Sequence, residues 1–269
     1  MIEASQLPHK LCEGLTAHQL ESLTGEGADL AVELLRAQGL DLVSSDGVRY
    51  RPVTCTQAIS TATFCIVDIE TNGSKPDKHQ IIEIGAVKVQ NLHIIDRFES
   101  LVRCDHISEH ITQITGIAES DTLNAPPMRE VLETFKGFLG NDIFVGHDVK
   151  FDFQFTSRMM ERVGMAPLLN RNLCTIDLAE RTISSYRYGL AFLNEQLELY
   201  KEATHHRALS DAMTTAKLFK RTLKHIPTDI QTVEELIIFS KKAKRLKRPK
   251  FPPETAEVPA ENKKETKIV

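Results

Sequence analysis

Apolar residues recur with two different periods along this chain, and the change of period marks the change of element. Between 64 and 102 they alternate or run together. FCIVDIE (64–70), IIEIGAVKVQ (81–90) and HIIDRFESLV (93–102) predict three strands, the last two joined by a tight turn at Asn91-Leu92. From 128 the spacing becomes three and four. MREVLETFKGFLG (128–140) predicts a helix stopped by Gly140 and Asn141, and DIFVGH (142–147) a short buried strand. VKFDFQFTSRMMERVG (149–164) predicts a second helix, and a strand around NLCTID (172–177) leads into more helix. RALSDAMTTAKLFKRTL (207–223) closes the region with a regular amphipathic period. Three strands followed by alternating helix and strand predict an α/β domain over 61–226, with a mixed sheet flanked by helices.

Two flanking parts differ from this core. Within 1–60, LTAHQLESLTG (15–25) and ADLAVELLRAQGL (28–40) have helical spacing, and LDLVSSDGVRYRP (40–52) reads as two short strands around a Ser-Asp-Gly turn. That order resembles a small winged-helix α+β module. Its second helix carries Arg36 against Asp29 and Glu33, poor chemistry for reading DNA, so protein contact or packing is expected. Residues 227–269 are polar. KKAKRLKRPK (241–250) holds seven basic residues in ten, and PPETAEVPAENKKETK has the composition of a flexible tail. The basic block suits a nucleic-acid backbone or an acidic partner, and a merely solvated tail is the bland alternative.

Composition narrows the function classes. The 269 residues are 41% apolar and 26% charged, as in an ordinary globular protein, and the net charge of −4 excludes a polycation that coats nucleic acid indiscriminately. An anionic substrate must therefore be handled locally. The five cysteines (Cys12, Cys55, Cys65, Cys104, Cys174) form no CxxC pair, so neither a zinc cluster nor a disulfide framework is indicated. No signal peptide and no apolar run near 18 residues is evident. A soluble, cytoplasmic protein without membrane contact is the expectation.

One strand is anomalous. Alternation in FCIVDIE puts Phe64, Ile66, Asp68 and Glu70 on one face, so a stripe that begins as core ends in two carboxylates. Two further acids follow apolar segments in the same manner: Asp152 between Phe151 and Phe153, and Asp211 beside Ala208, Ala212 and Met213. Singly, Asp152 reads as a satisfied core acid and Asp211 as an acid favoured near a helix N-terminus. Together, four carboxylates from three elements share one site only if cations neutralise them. Mg²⁺ (or Mn²⁺) takes oxygen ligands and retains water for a phosphate-bearing substrate. Two such ions about 3.5–4 Å apart clamp an in-line phosphoryl displacement. The attacking water must also lose a proton, and an imidazole, with an ordinary pKa of about 6.5, suits that task. His205 and His206 both stand just before the Asp211 helix.

These residues resemble a known family. D-x-E in VDIETNG, the HDVKFD segment and H-x4-D in HRALSD are similar, in order and separation over about 64–220, to the three motifs of the DEDDh (DnaQ-like) 3′–5′ exonucleases. IIEIGAVKV and ITGI (114–117) add to the likeness, which is nearest to the epsilon-type proofreading branch of bacterial DNA polymerase III. The resemblance implies a ribonuclease H-like fold, in which the strands from 81 and 93 extend the sheet that starts at Phe64. It implies Asp68, Glu70, Asp152 and Asp211 as metal-binding carboxylates and His206, rather than His205, as general base. A sister subclass carries Tyr four residues before the last Asp, where this chain has Arg207. By the same route Thr71, Asn72 and Gly73 meet the terminal nucleotide and His147 lies near the substrate strand.

The implied activity is metal-dependent release of nucleoside 5′-monophosphates from single-stranded or frayed DNA 3′ ends, in proofreading or repair beside a DNA polymerase catalytic subunit. A 3′–5′ exoribonuclease on the same scaffold stays open, because these motifs position metal and phosphate and do not read the 2′-hydroxyl. A non-catalytic adaptor would not need the intact set of acids. The first 60 residues lie outside the resemblance. QLELY (196–200), superficially like a sliding-clamp motif, reads as core through Leu190, Leu193, Leu197 and Leu199.

Overall fold

The N-terminal residues fold as a small module against the larger α/β body. In the computed structural model, residues 13–44, 47–203 and 206–250 are described. The module comprises β1 (Leu15–Thr16), α1 (Ala17–Thr24), α2 (Ala28–Ala37), β2 (Leu42–Ser44) and β3 (Arg49–Pro52), with sheet order β1-β3-β2. A capping box starts α1: the Thr16 hydroxyl accepts from the Gln19 N–H, and the Gln19 side chain accepts from the Thr16 N–H. The Ser45-Asp46 part of the expected turn between β2 and β3 lies outside the described residues. Leu20, Ala31, Leu35, Leu40 and Leu42 form the module's core, and Leu169 of the body completes it. The Leu169 N–H also donates to the Gln38 carbonyl at 2.9 Å.

The body is built on β4 (Thr63–Thr71), β5 (Ile81–Gln90), β6 (His93–Leu101), β7 (Ile143–Gly146) and β8 (Asn172–Cys174), in the order β6-β5-β4-β7-β8. β6, β5 and β4 form an antiparallel meander, while β7 runs parallel to β4 and β8 parallel to β7. The β5–β6 hairpin turns on Asn91 and Leu92, both at positive φ, as a two-residue turn that follows strand twist requires. The helices are α3 (Glu109–Thr115), α4 (Glu119–Thr122), α5 (Met128–Leu139), α6 (Val149–Arg162), α7 (Thr175–Thr182), α8 (Leu190–Leu197), α9 (Ala208–Leu223) and α10 (Val233–Lys242).

Alternation along β4 feeds two cores. Cys65, Val67 and Ile69 pack with Leu132 and Phe135 of α5 and with Phe155 and Met159 of α6. Phe64 and Ile66 face the other way, against Ala212, Ala216 and Phe219 of α9 and Leu236 of α10. The sheet is thus covered on both faces, and the mixed α/β architecture expected from the pattern is present.

Two expectations need correction. The strand expected over 172–177 ends at Cys174, because Thr175 turns into α7 and is buried there. The polar tail expected from 227 onward instead contains α10, whose Val233, Leu236 and Ile237 are buried in the body's core. A Thr232–Glu235 capping box starts α10, and the Glu234 carboxylate pairs with Arg171 and accepts the Thr54 hydroxyl at 3.0 Å. The expected tail sequence from 252 lies outside the described residues. In QLELY, Leu197 and Leu199 pack with Leu190 against buried Leu193, as core. Among the described residues, no helix is long and apolar enough to cross a membrane.

Candidate metal and active site

β4 delivers its two acids where its neighbours change. β7 pairs with β4 only over Phe64, Cys65 and Ile66, so the strand's far end projects past that partner. Asp68 and Glu70 stand on this end, both half-buried, with a register shift between Glu70 and Thr71. α6 covers the side that β7 leaves, and Asp152 in its first turn is buried there. The backbone N–H of Ile69 donates to the Asp152 carboxylate, tying the helix to the strand.

The fourth acid depends on a glycine. Gly85 is the register partner of Asp68 on β5. A Cβ at Gly85 would lie 2.1 Å from the Leu209 nitrogen and 2.2 Å from the Ala208 carbonyl carbon. Only the missing side chain lets α9 begin directly on the sheet, and Asp211 in its first turn is buried beside Asp68 as a result. The first-turn positions of Asp152 and Asp211 place both carboxylates where their helix dipoles favour negative charge.

His206 occupies the turn before α9 at φ +62, exposed, with its N–H donating to Asp211 Oδ2 at 2.9 Å. The left-handed backbone folds the turn back over the carboxylates. Glu70, His206 and Asp211 each offer a ligand atom, all within 4.8 Å of one another. His205 lies outside the described residues. Of the five residues expected to act together, Glu70, His206 and Asp211 thus offer ligand atoms to one point, and Asp68 feels the charges of Glu70, Asp152 and Asp211.

The electrostatics are those of a site short of positive charge. Burial pushes the Asp68 carboxyl well above the usual carboxylate range, and the charges of Asp152, Asp211, Glu70 and Glu83 add to the shift. Burial, then Asp211 and Glu83, raises Glu70 to about 8, against the pull of Arg207. Asp152 is also raised to about 8, chiefly by burial, although the Ile69 and Asp152 backbone N–H groups oppose the shift. An all-oxygen donor set of this kind, with one imidazole at its edge, fits hard divalent cations.

The softer positions behave differently. Asn72 commits its side chain internally, donating to the His106 carbonyl at 3.0 Å and accepting from the Gln80 N–H at 2.7 Å. Gly73, at φ +152, lies against the His79 ring, where a Cβ would approach to 2.5 Å. Thr71 ends β4, half-buried. Both ring nitrogens of His147 are engaged, Nδ1 with the Thr175 hydroxyl at 2.9 Å and Nε2 with the Tyr188 carbonyl at 2.8 Å. Because a carbonyl only accepts, Nε2 carries the proton, and burial lowers the ring's pKa to about 4. His147 is thus a neutral internal brace just after β7, and Asn72 and Gly73 shape a turn.

One buried group escaped the sequence reading. Glu83, opposite Glu70 in the ladder, is fully buried. It pairs with Arg207 at 2.7 Å and accepts the Ala208 N–H at 2.8 Å, so it pins the start of α9. An acid inside the apolar run IIEIGAV was the available signal.

Residues 65–219 match the RNase T exonuclease family. This chain belongs to the DnaQ-like exonucleases. Among curated relatives, the chain is 35% identical over 189 residues to a PolC-type DNA polymerase III of Staphylococcus saprophyticus. It is 36% identical over 181 residues to the Thermotoga petrophila PolC-type enzyme. These matches cover 69% and 67% of the chain but 13% of each relative, so it spans a small part of their length. The relatives reported are PolC-type rather than of the epsilon branch. Among solved structures, exonuclease X in complex with 5′ overhanging duplex DNA superposes with a TM-score of 0.52 at 26% identity. That match covers 66% of this chain and 99% of the other. An Escherichia coli exonuclease I–single-stranded DNA complex, at 17% identity, gives a TM-score of 0.57 over 62% of this chain and 42% of that one, and shares the fold.

Proposed function

We propose that this protein is a metal-dependent 3′–5′ exonuclease that releases nucleoside 5′-monophosphates from DNA 3′ ends, in proofreading or repair. One observation carries the reading: acids from β4, α6 and α9 lie within electrostatic reach of one another, beside a turn that bears His206. Asp68, Glu70, Asp152 and Asp211 would hold the cations. When bound, divalent cations neutralise the scissile phosphate and activate water towards it. His206, on its exposed turn, takes the proton from the attacking water. The turn at Thr71, Asn72 and Gly73 offers backbone, rather than the committed Asn72 side chain, to the terminal nucleotide. His147 fixes Tyr188 and leaves substrate contact to others. DNA rather than RNA is favoured because exonuclease X and exonuclease I were each solved on DNA, and the PolC-type relatives are DNA polymerases. The relatives also make a polymerase catalytic subunit the expected partner.

The test is digestion of matched 5′-labelled DNA and RNA single strands with Mg²⁺, Mn²⁺ or EDTA. Stepwise shortening of DNA from the 3′ end is expected with either metal, with none in EDTA or for Asp68→Asn. Full activity of Asp68→Asn, or digestion in EDTA, would refute the metal-dependent site. A preference for RNA would move the assignment to an exoribonuclease.

A further inference from the structure

The basic block that composition marks as a tail is a strap held against the body. Leaving α10, residues 243–250 run without helix or strand, and buried groups of α7 anchor them. The buried Arg181 donates to the Lys241 and Ala243 carbonyls at 3.0 and 2.8 Å. The Leu246 N–H donates to the Glu180 carbonyl at 2.8 Å. The buried Glu180 carboxylate takes Arg245 at 2.8 Å and also pairs with Arg248. A solvated tail needs no such set of buried anchors.

A relay of contacts links the strap to the carboxylate site. The Arg248 guanidinium sits 5.0 Å from the centroid of the Tyr188 ring. The Tyr188 carbonyl holds His147, which follows Gly146, and a Cβ on Gly146 would lie 3.1 Å from Asp152 Oδ2. Arg245 and Arg248 thus serve as anchors, whereas Lys242, Lys244, Lys247 and Lys250 are exposed and make no ion pair with a described residue. We propose that these four lysines form a backbone-tracking surface for the single strand whose 3′ end enters the carboxylate site. The inference rests on nucleic acid being the substrate. Lysines act as point charges on phosphate without reading sequence, as an exonuclease that works through any sequence requires. The net charge of −4 makes such a fixed positive strip a local device on an acidic protein.

The experiment measures binding of 5′-fluorescein dT20 and dT3 by anisotropy, in EDTA so that neither is cut, over a range of salt. The full-length protein is compared with K242Q/K244Q/K247Q/K250Q. Each phosphate contact on a single strand contributes about −0.7 to the slope of log K against log salt, so losing four should flatten it by about 3. The variant should bind dT20 about tenfold or more weakly at low salt, and dT3 normally. Hydrolysis of the p-nitrophenyl ester of thymidine 5′-monophosphate with Mg²⁺, read in parallel, should be unchanged. Unaltered dT20 binding would overturn the proposal and leave the strip to an acidic protein surface. Equal loss on dT3, or lost ester hydrolysis in the variant alone, would overturn it too, by placing the lysines in the site itself. If the unsubstituted protein does not hydrolyse the ester, the exonuclease reading fails, while the dT20 comparison still decides the strap.

Discussion

Gly85→Ala should cripple the proposed nuclease activity although it adds one methyl group to a strand with none of the proposed catalytic side chains. The new Cβ would stand 2.1 Å from the Leu209 nitrogen, 2.2 Å from the Ala208 carbon and 2.5 Å from the Ala208 oxygen. All three are backbone atoms at the start of α9, so no side-chain rotation relieves the clash. Ordinary contact begins near 3.4 Å, which requires α9 to retreat by about 1.3 Å. Asp211 lies two residues beyond Leu209 and moves with the helix, while Asp68, across the ladder from Gly85, is held by β5. A misplacement of about 1 Å in a catalytic constellation costs on the order of 100-fold. Overpacking should also remove about 1–3 kcal/mol, a fall of several degrees in Tm for a protein of this size. The assay is kcat for release of nucleotides from a 5′-labelled oligonucleotide, with thermal unfolding alongside. Gly137→Ala is the control, since nothing lies within 4 Å of its Cβ position in α5 and alanine favours helix. Near-normal kcat and Tm in Gly85→Ala would refute the argument that α9 is seated by this glycine.

Three further outcomes follow from the same geometry. Arg207→Met leaves the fully buried Glu83 without its cation and should cost about 3 kcal/mol, whereas Glu83→Gln keeps an acceptor for Ala208 and frees a half-exposed guanidinium, at about 1 kcal/mol; urea denaturation showing the reverse order would contradict the pinning role. In EDTA, Glu70 and Asp152 at about 8, against ordinary values of 4.5 and 3.8, mean that the native state binds protons the unfolded chain has released. Their contribution to stability is therefore present below about pH 4 and is lost as pH rises through 8. Tm should fall across that window without metal, and Mg²⁺ should raise it most at the alkaline end; a flat metal-free profile in differential scanning fluorimetry would count against the crowded-carboxylate account. His206→Ala should lower kcat by about 100-fold or more while Mg²⁺ still raises Tm, and unchanged turnover would remove His206 as the base.

The parts of this structure that sequence exposes are those governed by local rules. The strands over 81–90 and 93–101 and the helices at 128–139 and 208–223 follow their apolar periods almost to the residue. The carboxylate stripe of β4 was visible because alternation forces Asp68 and Glu70 onto one face. What stayed hidden depends on partners far away in the chain. Glu83 meets Arg207 across 124 residues, and its charge inside a buried strand makes sense only once α9 is in place. The end of β8 at Cys174 depends on Thr175, whose hydroxyl is held by His147 and the Gly146 carbonyl. α10 was readable in principle from Thr232, Glu235 and the apolar positions 233, 236 and 237, but the lysine-rich sequence after it masked the amphipathic signal.

The site's rigidity holds four mutually repulsive carboxylates near one another. β4 is an inner strand of the sheet, laddered to β5 over its whole length and to β7 at its start, so Asp68 and Glu70 ride on a backbone with little freedom. α6 is fixed by Asp152 itself, through the Ile69 N–H, and α9 by Glu83 and by close seating on Gly85. Each scaffold contact lies beside an acid, so repulsion is resisted by the sheet and the two helix starts. Protonation is then the remaining way to lower the charge, and burial first, with the neighbouring charges second, raises the carboxyl pKa values. A divalent cation competes with those protons for ligands already in place, so binding costs little reorganisation, and raising the pH should tighten it. Isothermal titration of Mg²⁺ at pH 6 and pH 8 should show the higher affinity at pH 8, with protons released on binding at pH 6; equal affinity with no proton release would mean that the acids do not share the cation.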